Sequence, residues 1–306
     1  LGAVPARRGR RGGRALAVLA SGTAAGALWD DLGQGRRWFR RALLSHRPTW
    51  NVLGWTGDAA ARRTVVFVAH HDAAHSGLVF HPALGRIGPA LLPGPHARAT
   101  RTPPILYGVW LGPVAVLVGA ALGARRLLRA GAALCAGVRR CRASRPSPPH
   151  RAPRPVVPGA NDNLTAVGVL VALAERLASI EGVRMLLLST GSEESFSEGM
   201  QGFMDRHAPE LDPEATDFIC LECLGGTFLA VLDGEGMLHM RDYTPALREA
   251  LAAAASTRGI EIARRLRTVG ATDALVPLRT GWRAVTLASV EATTLPINYH
   301  WPTDVP

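Results

Sequence analysis

The chain has 306 residues, 47% of them hydrophobic, enough for one large domain or two modest ones with a substantial core. Its formal charge of +11 rests on 35 arginines and no lysine, so the basicity reads as a compositional bias of the source and is weak grounds for nucleic-acid binding. Residues 1–155 carry 24 Arg and 4 acids, net +20, while residues 156–306 carry 11 Arg and 20 acids, net −9; with few aromatics and no nucleic-acid-binding motif, the basic half points to anionic lipid and to no nucleic acid.

The chain starts at Leu1 without Met and stops at "HWPTDVP", so it reads as a fragment or a product missing its ends. Residues 1–50 place "RRGRRGGR" before "ALAVLASGTAAGALW", which reads either as a signal or anchor segment or as an ordinary amphipathic helix. Residues 64–69, "TVVFVA", form a buried strand, with "HHDAAHSG" as the loop at its carboxyl end. Residues 105–124 contain no charge over a length able to cross a bilayer. Arg125, Arg126 and Arg129 follow, then a second apolar run to Val138, then Arg139, Arg140 and Arg142. Residues 143–158 are rich in Pro, Ser and Arg and read as a linker.

From residue 159 the chain alternates helix and strand. Helices are predicted over 163–178, over 198–206 and over "TPALREALAAAASTRG", which opens with a Thr cap and ends at Gly259. Strands are predicted at "VRMLLLS", "DFICLEC", "IEIARRL" and "AVTLAS". This alternation gives an α/β fold with three layers, a mixed and mostly parallel sheet between helices, in which ligands gather beyond the carboxyl ends of the strands. The cysteines are Cys135, Cys141, Cys220 and Cys223; "CLEC" lacks a second pair at zinc-ribbon spacing and reads as structural.

Carboxylates and histidines cluster at the strand ends. His70 and Asp72 follow "TVVFVA", Asp162 lies in "PGANDN", Glu193 and Glu194 follow "VRMLLLS", Glu222 ends "FICLE", and His300 lies in "NYHWPTD". Alone, a Glu-Glu pair is two solvated charges in a loop. Together the set suits two zinc ions, which take imidazole nitrogen and carboxylate oxygen and need one bridging carboxylate. Asp162 suits the bridge because Gly159 and a helix start hold its loop. Asp72 is placed to accept from His70 and fix its tautomer. One member of the Glu pair is left to act as base.

In this order the motifs resemble the co-catalytic di-zinc aminopeptidases, a metallopeptidase family that also contains glutamate carboxypeptidases and glutaminyl cyclases. The family's His-x-Asp stands here as "AHHD", its Gly-Ala-x-Asp-Asn as "GANDN", its Glu pair as Glu193 and Glu194, its strand-end acid as Glu222, and its Tyr-His-x-Pro-x-Asp as "YHWPTD". A Thr-Asp pair at Thr272 and Asp273 also matches. The match covers roughly residues 50–306 apart from 82–155.

The resemblance implies that His70 and Glu222 bind one zinc, that Glu194 and His300 bind the other, that Asp162 bridges, and that Glu193 is the general base and acid, supported by Asp72. Glu222 departs from the usual Asp, and "SFSEGMQG" is about two residues longer than usual. His71, His75 and His81 read as bystanders or pocket lining, and His207 and His239 as surface residues. Asp273 reads as a support or a helix cap, and Asp304 as a stabiliser of the final loop.

The expected activity is metal-dependent exopeptidase action on peptides, as an aminopeptidase. A glutaminyl cyclase-like acyltransferase and a non-catalytic receptor of the same fold are the alternatives. Ninety-one residues separate His70 from Asp162, and a single bilayer crossing there would put two ligands on opposite sides. The insertion must therefore cross twice, dip and return, or pack as a helical cap. The expectation is a membrane-associated hairpin making contact through residues 105–142, anchored by arginines at its ends, in a membrane-associated or secreted, cell-envelope protein. The expected domains are an N-terminal segment, 1–50, and a zinc peptidase domain, 51–306, interrupted at 82–155.

Overall fold

The computed structural model describes residues 11–35, 37–139, 156–263 and 265–306. Cys141, Arg140, Arg142 and residues 143–155 of the expected linker lie outside them. In chain order the elements are α1 (Arg11–Leu32), α2 (Trp38–Leu43), β1 (Val52–Gly57), β2 (Thr64–His70), α3 (Pro82–Leu91), α4 (Pro93–Ala97), α5 (Tyr107–Leu122) and α6 (Arg125–Arg139). Then follow a π turn (Ala160–Leu164), α7 (Thr165–Arg176), β3 (Arg184–Thr190), α8 (Glu198–His207), β4 (Thr216–Glu222), β5 (Phe228–Val231) and β6 (Gly234–Glu235). The last elements are β7 (Arg241–Asp242), α9 (Pro245–Ser256), β8 (Ile262–Ala263), β9 (Arg267–Thr268), α10 (Leu275–Arg279) and β10 (Arg283–Val290).

The contacts divide the chain into two units. One takes residues up to Arg47, Ser76–His81 and the stretch from Pro104; the other holds Pro48–His75, Pro82–Pro103 and the chain from Pro155. The sequence boundaries differ from these. Residues 82–103 stay with the sheet: Thr102 donates its N–H to the Arg267 carbonyl at 2.9 Å and accepts that of Val269 on its hydroxyl at 2.8 Å.

In the sheet unit seven strands run in the order β1-β3-β2-β4-β10-β5-β8. The four central strands, β3, β2, β4 and β10, are mutually parallel; β1 runs antiparallel to β3 and β5 antiparallel to β10, while β8 joins β5 in parallel. Alternation along each strand feeds two cores. Val66, Val68, Leu186, Leu188, Phe218 and Val285 face Met200 and Phe203 of α8 and Leu247 of α9. The intervening Ala69, Leu187 and Leu221 face Ala166 and Leu170 of α7. Both faces are covered, which is why these strands are apolar throughout. The mixed, mostly parallel sheet between helices agrees with the sequence reading.

Details differ. The helix predicted at 163 starts at Thr165, because Asp162 and Asn163 take non-helical backbone angles. Among the described residues "IEIARRL" supplies the two-residue β8, at the sheet edge beside β5. Thr244 makes no cap bond to α9; its hydroxyl accepts the Ala284 N–H at 3.2 Å. Strand β1, which the sequence reading left out, pairs along six residues of β3.

In the helical unit α1 buries a stripe of small residues and leaves the larger Leu16, Leu19 and Trp29 exposed. Ala17, Ser21 and Ala25 are buried at four-residue spacing, with Val116, Ala120 and Leu128 in the same small core as Ala17. Arg14 donates to the Ala120 and Ala121 carbonyls at the end of α5 (3.2 and 3.1 Å). Glycines let α5 and α6 close up: a Cβ on Gly131 would lie 2.6 Å from the Val116 nitrogen, and one on Gly119 2.7 Å from that of Leu128. The reading of 105–124 as long enough to cross a bilayer is corrected here. Helix α5 covers 16 residues, about 24 Å at 1.5 Å per residue, against a hydrocarbon core of about 30 Å. Among the described residues no helix is long and apolar enough to cross a membrane.

Candidate metal centre

The parallel register aligns the strand ends that build the site. His70 ends β2 and pairs with Thr190, the end of β3, from which the chain runs on to Glu193 and Glu194; Glu222 ends β4. Asp162 arrives from the π turn before α7, and His300 from the turns after β10.

Asp162 stands at the centre. Its Oδ1 is 3.2 Å from His70 Nε2 and its Oδ2 3.2 Å from His300 Nε2. Glu222 Oε1 lies 3.4 Å from His70 Nε2, and Glu194 Oε2 3.2 Å from His300 Nε2. Glu193 Oε2 is 4.0 Å from His70 Nε2. Two triads, His70–Asp162–Glu222 and Asp162–Glu194–His300, therefore share Asp162, and each gathers its ligand atoms within 4.8 Å.

Neighbouring residues fix these side chains. The Asp72 carboxylate accepts the backbone N–H of Glu193 through Oδ1 at 2.9 Å and that of Glu194 through Oδ2 at 3.1 Å. The nearest oxygen to His70 Nδ1 is the Asp72 carbonyl, at 3.0 Å, with the carboxylate at 3.6 Å. Asp72 thus aims the glutamates with its side chain, while its carbonyl and carboxylate both face the imidazole. Asn163 brackets Glu222 by accepting the Cys223 N–H and donating to the Leu221 carbonyl, both at 2.9 Å. Asp304 accepts the N–H groups of Asn161 and Asp162 at 2.8 and 3.1 Å. Asn51 closes the glutamate loop, accepting from Gly191 N–H at 3.2 Å and donating to the Gly199 carbonyl at 2.9 Å. The asparagine bonds were missed in sequence; those of Asn161 and Asn163 sit inside a motif quoted there, whereas Asn51 carries no local signal.

The loop "SFSEG" is a tight turn into α8. Ser197 and Glu198 donate their N–H groups to the carbonyls of Glu193 and Ser192 (2.8 and 3.0 Å), and Ser192, Phe196 and Ser197 take left-handed angles. Asp273 caps no helix. It is buried, and its carboxylate accepts the Thr190 hydroxyl at the end of β3.

The donor set fits divalent zinc. With Nδ1–H given to the Asp72 carbonyl, His70 Nε2 presents a lone pair to two carboxylates, an arrangement that needs a cation or a proton between them. Asp162 Oδ2, Glu194 Oε1 and Glu222 Oε2 are buried without a hydrogen-bond partner. Tetrahedral zinc with bonds of about 2.0–2.2 Å holds its ligands about 3.3–3.6 Å apart, close to the spacings above.

Electrostatics agree. Burial opposes the charge on His70, yet Glu222, Asp162 and Asp72 outweigh it and hold the imidazole well above its ordinary value. Burial likewise opposes ionisation of Asp162, and His300 and His70 overcome it, holding that carboxyl low. Burial pushes Glu193 well up, reinforced by Glu194, Glu222 and Asp273, and pushes Glu194 up to about 8. Tyr299, whose ring centroid is 4.0 Å from that of His300, is held well above its usual value by burial and by Asp162 and Glu194.

The remaining candidates stand apart. His71 is exposed and meets Ser189 Oγ at 2.9 Å; His207 pairs with Glu210 at 3.7 Å, and His239 is exposed. Neither His75 nor His81 belongs to a metal-sized group. Cys135, Cys220 and Cys223 are free thiols, and burial pushes the last two well above the ordinary thiol value.

No family model matches the sequence, and no curated protein matches it. Solved structures do resemble it. An aminopeptidase from Aneurinibacillus sp. strain AM-1 is 15% identical over 83% of this chain and 42% of its own length, at a TM-score of 0.46. A zinc aminopeptidase from Bacillus subtilis is 20% identical over 48% of this chain and 37% of its own, at 0.38. A glutaminyl cyclase from Tannerella forsythia is 14% identical over 84% and 70%, at 0.47. The chain thus spans less than half of each of these two aminopeptidases.

Proposed function

We propose that this chain is a metal-dependent exopeptidase that removes amino-terminal residues from peptides with the help of two zinc ions. One observation carries the reading: a single buried carboxylate, Asp162, turns one oxygen to His70 and the other to His300, each at 3.2 Å. His70, Glu222 and Asp162 would hold one ion; Asp162, Glu194 and His300 would hold the other. Cations bound there would supply Lewis acidity to the scissile carbonyl and to the attacking water.

The chain's own residues supply the proton chemistry. Glu193 lies outside the two triads that share Asp162, although with His70 and Glu194 it forms a third group of metal-sized spacing, and its Oε2 is 4.0 Å from His70 Nε2. It takes a proton from the attacking water and delivers it to the leaving amine. Burial raises its carboxyl, the direction that suits a group that holds a proton between accepting and returning it. The Asp72 carboxylate holds its backbone, so the carboxyl group reaches the reacting atoms from a fixed loop.

The test combines a zinc count with hydrolysis of an aminoacyl-anilide panel, with and without chelator, beside an assay for cyclisation of amino-terminal glutamine. Two zinc ions and chelator-sensitive release of amino acids support the proposal. One zinc with cyclisation would replace it with an acyltransferase, and a protein that takes up no zinc would overturn it.

A further inference from the structure

The turn that carries His300 ends on a buried acid, Asp304, which belongs to neither triad. Three successive backbone N–H groups converge on it. Asn161 donates to Oδ1 at 2.8 Å, Asp162 donates to Oδ2 at 3.1 Å, and Ala160 donates to its carbonyl at 3.2 Å. Its own N–H donates to the Trp301 carbonyl at 3.0 Å, which folds the turn back on itself one residue after His300. The segment it grips has no helical register of its own, because Asp162 and Asn163 take non-helical angles. The N–H groups of residues 161 and 162 therefore depend on this carboxylate, and an anionic acceptor makes such bonds about twice as strong as neutral ones.

From this geometry we propose that Asp304 is a positioning residue that sets the distance between Asp162 and His300, and so the affinity of the subsite formed by Asp162, Glu194 and His300. Asp304 acts by fastening the peptide of one ligand to the turn of the other. Asp72 is its counterpart on the opposite side. Its carbonyl holds His70, while its carboxylate holds the peptides of Glu193 and Glu194. Losing Asp304 releases both Asp162 and His300, two members of the His300 triad. The His70 triad loses the anchoring of Asp162 alone, with Asn163 still bracketing Glu222. The proposal rests on the two-zinc reading above.

The experiment is a zinc titration of the full chain by calorimetry and by elemental count after dialysis. Four proteins are compared: wild type, Asp304→Asn, His300→Ala and the double variant. Asparagine keeps one acceptor oxygen and turns an amide against the other N–H. Asp304→Asn should weaken the second zinc by about 10–100-fold, the usual effect of removing such a support, and leave the first within about threefold. In the His300→Ala background the same change should have little further effect, because the subsite it serves is already gone. An equal loss in both backgrounds would show a general structural role and overturn the proposal, as would two-step binding indistinguishable from wild type. A wild-type chain that binds no zinc would overturn both this proposal and the function above. Asp304→Glu, which keeps the charge and both oxygens, is read in the same titration and should recover part of the second-site affinity; failure to recover any counts against the proposal even if the asparagine variant does not fold.

Discussion

The Asp72 carboxylate receives the backbone N–H of Glu193 at 2.9 Å, so the acid next to His70 orients the proposed base through its main chain. Removing the side chain leaves two N–H groups without their acceptor, at a cost of about 1–3 kcal/mol for each that stays buried. Asp72→Ala should lower kcat by about 10–100-fold, the scale seen when such supports are removed, with a smaller change in zinc content. Steady-state kinetics and a metal count on one preparation separate the two effects.

Glu193 and Glu194 are neighbours with different predicted losses. Glu193→Gln should lower kcat by about 10²–10⁴-fold with zinc uptake near wild type. Glu194→Gln removes an anionic ligand from beside His300 and should lower zinc uptake itself. If the two variants lose metal in parallel, the division of labour between them is wrong.

Stripping the metal should destabilise the protein. The carboxylates of Asp162, Glu194 and Glu222 are buried within the same few ångströms, and chelation leaves their charges facing one another. Thermal melts should show a lower Tm with chelator. Recovery on adding zinc should approach the roughly 2.7 kcal/mol expected at a free concentration a hundredfold above Kd. An unchanged Tm would speak against a cation in this cluster.

Glu235 offers a pH test away from the ligands. It is buried in β6, accepts the Thr272 N–H at 2.7 Å, and burial pushes its carboxyl up to about 8 from an ordinary 4.5. The folded chain keeps this proton where the unfolded chain has released it. The stability it confers is full below about pH 4.5 and is lost as pH rises towards 8, at up to about 1.4 kcal/mol per pH unit. Denaturant melts from about pH 5 to pH 8 should fall more steeply for wild type than for Glu235→Gln, and the difference between the two curves isolates this group.

The helical unit has a separate test at Gly131, where a Cβ would meet the Val116 nitrogen at 2.6 Å and the Gly112 carbonyl oxygen at 2.9 Å. Gly131→Leu should push α5 and α6 apart at a cost of about 1–3 kcal/mol or more. The thiol of Cys135, which packs where a Cβ on Gly112 would be 2.8 Å from Sγ, should then alkylate faster, as mapped by mass spectrometry.

The central strands were legible because two-sided burial leaves an apolar run, as in "TVVFVA" and "RMLLLS". His70, Glu193, Glu194 and Glu222 stood out because each closes or follows such a run, whereas Asp162, in a turn before a helix, stood out by its motif. Strand β1 was not: four of its six residues are exposed and its sequence, "VLGWTG", lacks a periodic signal. The length of α5 was overestimated because the uncharged run of 105–124 extends two residues beyond the helix at each end, on the carboxyl side across the left-handed cap at Gly123. The second task of Asp72 was hidden for another reason: whether a carboxylate meets an imidazole or a peptide N–H depends on the path of a loop 121 residues away.

The interleaving of the two units has a consequence for synthesis. The chain passes from one unit to the other at five points. Strand β2 pairs only with β3 and β4, so once His70 is made it waits about 120 residues for Thr190. At roughly 5–20 residues per second that is roughly 6–24 s, during which "TVVFVA" has no sheet to join. Helix α1 is already made when that interval opens, and α5 and α6 are completed within it. On the ribosome the helical unit comes first, and the strand that carries His70 spends the delay as an exposed apolar segment of the kind chaperones bind.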